Sequence, residues 1–224
     1  MRRRRSITAL TWSFVPYALV STVHVVLLAT ESDVADVSKV ALMPLLAVPV
    51  IGAARRLRPA TAIALLLAAL LFSWIGDSAG VFLPAGAELP VMLGFFGLAH
   101  IAYISLFARR LARRRLPWWA LTYAVWWITL LILLGPHTGD LFLAVAAYGL
   151  VLAATATLSA RCSRPIATGG AFFLASDTLL ALRLFLPGGL PEWSDPAIMS
   201  TYTLGQGLIV AGALLALQRR SEDA

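Results

Sequence analysis

Charge is what this chain has least of. Only 13% of its 224 residues are charged, 60% are apolar and the mean hydropathy is +0.84. That leaves too little polar surface to clothe a water-soluble globule. Lysine is nearly missing: Lys39 stands alone beside seventeen arginines, a bias that points to a GC-rich bacterial genome and so to a plasma membrane. One cysteine, Cys162, excludes an intramolecular disulfide and a cysteine-based metal site, and beside Arg161 in a cytoplasmic loop it reads as an inert thiol. The three histidines lie far apart without H-x3-H spacing, so no metal site is expected. His24 reads as structural and His137, in a Gly-Pro-His-Thr-Gly loop, as solvated. No linker or low-complexity tract is present either, and the chain reads as a single integral membrane domain over 1–224.

What is there is a series of apolar runs. Eight are long enough to cross a hydrocarbon layer of roughly 30 Å, at about 7–29, 36–54, 60–82, 89–108, 117–135, 140–160, 166–186 and 197–217. The expected fold class is therefore all-α, a polytopic membrane protein of about eight transmembrane helices. The net charge of +7 does not indicate nucleic acid, because the basic residues form short clusters between the apolar runs rather than one face with interleaved aromatics. Those clusters are Arg2 to Arg5, Arg55 to Arg58, Arg109 to Arg115, Arg161 with Arg164, and Arg219 with Arg220, together 16 of the 18 basic residues. They fall on alternate loops, as cytoplasmic loops do. Both termini are then cytoplasmic, with a basic segment at 1–6 and a tail at 218–224. The opposite loops carry Glu31, Asp33, Asp36, Glu88, Asp140, Glu192 and Asp195. The opening MRRRR resembles a secretory signal, but the apolar stretch after it is about 22 residues long against a usual 7 to 15, so it is expected to stay as the first helix.

Two carboxylates lie inside the spans. At least about 2.5 to 3.5 kcal/mol is needed to place one at the centre of a membrane helix, so such groups mark function by default. Asp77 in the third span and Asp177 in the seventh are 100 residues apart and sit in similar surroundings: Phe72-x4-Asp77-Ser78 and Phe172-x4-Asp177-Thr178. Four spans separate them, as a parallel 4+4 pseudo-repeat requires. Two buried carboxyls can hold one proton between them, which suits a general acid beside a carboxylate. Proton or cation transport, or hydrogen bonds between helices, would use the same residues. Lys39, His100, Tyr103, Tyr202 and Gln206 are the other polar residues in the outer half of the bundle. His100 and Tyr103 share a helix face, as do Tyr202 and Gln206. Each pair also suits plain interhelical bonding. Arg183 is expected to snorkel to the interface. Gly76-Asp77-Ser78-Ala79-Gly80 matches G-x-S-x-G literally, but a nucleophile elbow follows a strand, and this pentapeptide ends a membrane helix. A Ser78–His100 dyad is a minor alternative, and the two glycines read as a site of close helix approach or of a helix break.

Lys39-x4-Pro44, the block from Phe72-Ser73-Trp-Ile-Gly-Asp77-Ser through His100-Ile-Ala-Tyr103, Ser176-Asp177, and Tyr202-x3-Gln206 together resemble the YhhN-like transmembrane lysoplasmalogenase family. The resemblance runs from about residue 35 to about residue 215 and rests on the order and spacing of these motifs. It implies an eight-span hydrolase that cleaves the vinyl ether of lysoplasmalogens, giving a fatty aldehyde and a glycerophospho-base, without a metal or other cofactor. Its partners would be a lysophospholipid substrate and membrane lipid. It further implies Asp77 and Asp177 as catalytic acid and base, with Lys39, Ser73, His100, Tyr103, Tyr202 and Gln206 supporting them. From a different class, a small proton- or cation-coupled transporter fits the paired carboxylates.

Overall fold

The computed structural model describes residues 10–84, 86–191 and 193–222. Arg2 to Arg5 with the rest of the 1–6 segment, the start of the first span, Glu192 and the last two residues of the tail lie outside the described residues. Every element among the described residues is helical. Eight helices are long and apolar enough to cross a membrane: α1 (Leu10–Ala29), α2 (Ala35–Ala54), α3 (Ala60–Phe82), α4 (Glu88–Leu111), α5 (Trp118–His137), α6 (Gly139–Ser159), α7 (Arg164–Phe185) and α8 (Ser194–Ser221).

Proline marks several starts. It precedes α3 as Pro59 and α5 as Pro117, and it occupies the first turn of α7 as Pro165, where its missing N–H removes no helical bond. Two helices outrun the apolar pattern. α4 continues through a π-turn at Phe107–Leu111, so Arg109 and Arg110 lie on helix rather than in a loop. α8 begins three residues earlier than its apolar run and ends four later, because Ser194-Asp195-Pro196 and Gln218 to Ser221 are polar but still helical.

Packing joins α1, α2, α3, α4, α6, α7 and α8 into a closed ring, each helix touching the next and α8 touching α1, while α5 leans on the outside against α6 and α7. The most extensive pairs are α3 with α4 and α7 with α8. The second is built on glycine. A Cβ on Gly169 would lie 2.7 Å from the Gly205 carbonyl oxygen, and one on Gly205 would lie 2.9 Å from the Phe173 amide nitrogen. Only hydrogen at both positions lets these backbones meet. Outward-facing Leu71, Ile101, Ile132 and Leu143 are exposed, as a surface meant for lipid would be.

The two ends of the bundle differ in chemistry. At the arginine-bearing end, the Arg113 and Arg114 amides donate to the Arg161 carbonyl at 2.9 and 3.1 Å, and Arg161 Nε donates back to the Arg114 carbonyl. Cys162 is buried there, and burial pushes its thiol up to about 12. Leu46, Leu66, Leu106, Phe107, Ile209 and Leu214, all fully buried, fill the bundle interior. At the other end Arg183, partly exposed, meets the loop that follows its helix. Its guanidinium pairs with Asp195 at 2.7 Å and donates to the Leu190 and Pro191 carbonyls and to Ser194 Oγ. A loop whose reversal uses Gly188 (φ +84°) and Gly189 (φ +61°) is thereby tied to both flanking helices.

Candidate active site

Asp77 sits near the end of α3 where the ring encloses it. Tyr202 of α8 donates its hydroxyl proton to Asp77 Oδ2 at 2.8 Å. One turn along α8, Gln206 donates from Nε2 to Ser73 Oγ at 3.0 Å, lies 3.4 Å from the Tyr202 hydroxyl and accepts the Tyr103 hydroxyl proton at Oε1. Five side chains from three helices thus form one connected network. Asp77 is 3% exposed, and Ser73, Tyr103 and Gln206 are fully buried beneath it toward the arginine-bearing end. Every polar atom of Gln206 finds a partner, as a buried amide requires.

Asp177 is held from α6 and α4. The Tyr148 hydroxyl donates to Asp177 Oδ2 and lies 3.4 Å from His100 Nε2, which is itself 3.9 Å from the same carboxylate oxygen. The His100 ring stands edge-on to Phe173, with centroids 4.7 Å apart. Phe173 and Phe96 in turn stand edge-on to Tyr202, at 5.4 and 6.0 Å. This wedge of rings fixes the angle at which both tyrosine hydroxyls approach their carboxylates. Gly76 makes room for it, since a Cβ there would lie 2.7 Å from the Phe96 ring. The glycine therefore serves close approach, and α3 is unbroken beside Asp77.

Both aspartates line one cavity of about 290 Å³, at the small end of ligand cavities, which run roughly 300 to 1,000 Å³. Its walls are of two kinds. α1, α2 and α8 contribute the polar His24, Asp36, Lys39, Asp195 and Tyr202 beside Leu28, Ile198 and Met199; the lining from α4, Leu89, Met92, Leu93 and Phe96, is wholly apolar, and α7 adds Leu180 and Leu184 beyond Ser176 and Asp177. Lys39 Nζ would be 3.7 Å from a Cβ placed on Gly80, one turn beyond Asp77 toward the arginine-poor end. Among the described residues, no three His, Cys, Asp or Glu side chains converge on a point that could hold a metal.

The residues singled out by sequence are distributed unequally over this site. Asp77, Asp177, Lys39 and Tyr202 line the cavity, whereas Ser73, His100, Tyr103 and Gln206 stand behind the carboxylates and do not. The Ser78–His100 dyad does not form. Ser78 donates to the Trp74 carbonyl of its own helix at 2.7 Å, and His100 turns toward Tyr148 and Asp177. His24 ties α1 to α2 through Nδ1, as a structural residue does, and is also among the residues that line the cavity. Ser176 and Thr178, which flank Asp177, bond to the Ile198 and Leu174 carbonyls, and Thr178 also accepts from Trp126 Nε1 of α5 at 3.0 Å. Tyr148 was missed. Its signal was faint but real, a phenol in the otherwise Ala-, Val-, Gly- and Leu-built run of α6.

The chain matches the family model described as the YhhN family over residues 34–213. That covers α2 to α7 entire and most of α8, and so every cavity-lining residue except His24 and Leu28. No curated protein matches the chain, and no solved structure does.

Proposed function

The chain belongs to the YhhN family, and from that premise we propose that it hydrolyses the vinyl ether bond of lysoplasmalogens with Asp77 and Asp177 as the acid and base. The observation that carries this reading is the pair of carboxylates, each receiving a tyrosine hydroxyl, in one cavity with a polar and an apolar side. A lysolipid has the same division. Its glycerophospho-base suits the wall of His24, Asp36 and Lys39, and its alkenyl chain suits the wall of α4 and α7.

The chemistry needs two carboxyl groups in opposite protonation states, much as a glycosidase does. A neutral carboxyl gives its proton to the alkenyl carbon that is not bonded to oxygen. The π electrons form the new C–H bond, and the cation left behind is an oxocarbenium shared with the ether oxygen. The second carboxylate stabilises that cation and takes a proton from the water that adds to it. The resulting hemiacetal collapses to an aldehyde and a free glycerol hydroxyl, so one water is consumed and nothing else. Tyr202 and Tyr148 act as positioning residues, aiming one carboxylate oxygen each. His100 buttresses the Asp177 side, and Gln206, Ser73 and Tyr103 hold Tyr202 from behind.

A transport path is less well supported. Immediately beneath Asp77 the interior is filled by Ser73, Gln206 and Tyr103 and then by Leu70, Leu106 and Phe107, all at most 2% exposed. A dead end suits a reaction better than passage. The test is aldehyde release from a lysoplasmenylethanolamine by the purified full-length protein. Asp77→Asn and Asp177→Asn should each lose at least about a hundredfold in rate, with Ser78→Ala close to wild type. Aldehyde from either Asn variant at the wild-type rate overturns the paired roles, and none from folded wild type overturns the reaction.

A further inference from the structure

The arginine-bearing end of the bundle gathers positive charge from three parts of the chain. Arg110 and Arg113 lie at and just past the end of α4, Arg161 in the turn between α6 and α7, and Arg220 in the last turn of α8. Leu111, Cys162 and Leu217, each at most 2% exposed, belong to one buried cluster and hold the three segments together. The backbone clasp described above, in which the Arg113 and Arg114 amides meet the Arg161 carbonyl and Arg161 Nε returns a bond to Arg114, fixes two of them further. The charges are therefore held close. Arg220 is within electrostatic reach of both Arg113 and Arg110, and the Cys162 thiol is within reach of Arg161 and Arg220.

Like charges kept together repel, and at partly buried positions that repulsion is screened less than at an open surface. Arg110, Arg161 and Arg220 are all half-buried. Among the described residues, none of the four guanidinium groups forms an ion pair. No side chain caps the start of α7 beside them, so the first amides of that helix add positive partial charge to the same patch. The arrangement calls for an anion with several oxygens. Guanidinium groups take phosphate oxygens in pairs. Depth says which phosphate: Arg110 and Arg220 lie within the last turns of spanning helices while Arg113 lies beyond its span, so the group straddles the edge of the apolar layer. That is the level at which a lipid presents its phosphate, and basic pockets between helices at the arginine-rich side suit anionic headgroups.

We infer that Arg110, Arg113, Arg161 and Arg220 form a binding site for the phosphate of an anionic lipid in the leaflet at the arginine-bearing end. The site is distinct from the cavity of Asp77 and Asp177, since Arg220 lies eighteen residues along α8 from Tyr202, a rise of about 27 Å. It does not depend on the reaction proposed for that cavity. A zwitterionic lipid offers the same phosphate but brings its own cation toward the arginines, so a lipid without one is preferred.

The experiment is native mass spectrometry of the full-length protein in a neutral detergent, with phosphatidylglycerol and phosphatidylcholine added in equal amounts. Wild type should retain phosphatidylglycerol in clear preference. Arg113→Gln, at an exposed position whose backbone bonds to Arg161 the substitution keeps, should weaken phosphatidylglycerol about tenfold, the loss of one charge-assisted hydrogen bond. Arg220→Gln should do the same, and Arg113 carries the test if that change in a packed helix costs the fold. Arg55→Gln with Arg56→Gln removes exposed charge from the α2–α3 loop at the same end, outside the site, and should leave the affinity unchanged. Equal losses from the control pair and from Arg113→Gln would mean a diffuse attraction and overturn the site. Displacement of the lipid by inorganic phosphate at matched concentration would overturn the lipid as its ligand, as would equal retention of the two lipids by wild type.

Discussion

Tyr148 and Tyr202 do the same work from opposite sides of the cavity, but their surroundings are not equivalent. Tyr202 is backed by Gln206, which is itself anchored by Ser73 and Tyr103. Tyr148 has His100 alone beside it, at 3.4 Å. A hydrogen bond to a charged acceptor contributes about 1.5 to 3 kcal/mol, so Tyr148→Phe should slow aldehyde release about ten- to hundredfold. The loss should appear in kcat with KM little changed, because phenylalanine keeps the ring that lines the cavity and removes only the hydroxyl that aims Asp177. A change confined to KM would place Tyr148 in substrate binding instead. The asparagine variants differ in kind, since they remove the ionisable group itself. The role of Tyr148 was not legible in sequence. A tyrosine in an apolar span looks like packing until another helix brings a carboxylate against it.

Among the elements, the α7–α8 pair determines whether the site exists. α7 carries Asp177 and α8 carries Tyr202, the partner of Asp77, so the separation of these two helices sets the position of both carboxylates. Gly169 and Gly205 hold it at backbone contact. A leucine at Gly205 must push against the Phe173 backbone, which cannot yield as a flexible side chain would. Overpacking commonly costs about 1 to 3 kcal/mol, occasionally more. Gly205→Leu should therefore lower the melting temperature in detergent and abolish aldehyde release. Gly97→Ala in α4, where nothing lies within 4 Å of an added Cβ, should change neither. Equal behaviour of the two variants would show that the close approach is not what organises the site. The helices themselves were legible within a few residues, because each is an unbroken apolar run bounded by charge or proline. Their ends were less so at α4 and α8, where Arg109, Arg110 and Ser194 to Pro196 remain helical beyond the apolar stretch.

For the whole molecule, polarity across the membrane follows from where arginine lies. The loops between α2 and α3, α4 and α5, and α6 and α7 carry arginine, while on the opposite side the loop between α1 and α2 carries Glu31 and Asp33 and the first turns of α4 and α8 carry Glu88 and Asp195. The cavity is lined by Asp36 and Asp195 on the acidic side. The distribution of arginine leads us to expect a cavity that opens to the outside and a substrate drawn from the outer leaflet. A fluorescent protein fused after Ala224 should then fluoresce, and alkaline phosphatase inserted at residue 86 should be active. The reverse pattern would turn the cavity to the cytoplasm.

Eight spans, the all-helical class, the paired carboxylates and the family resemblance all follow from the order of residues. Hydropathy, the placement of arginine and the cost of a charge in lipid act within a single segment, and motif spacing is itself a property of sequence. What only the tertiary structure decided is which helices are neighbours. The ring that leaves α5 outside and the tyrosine for each aspartate are contacts between segments far apart in the chain. Helices apolar on every face give few local signs of the neighbour each will choose, so packing at glycines and the pairing of buried polar groups make that choice.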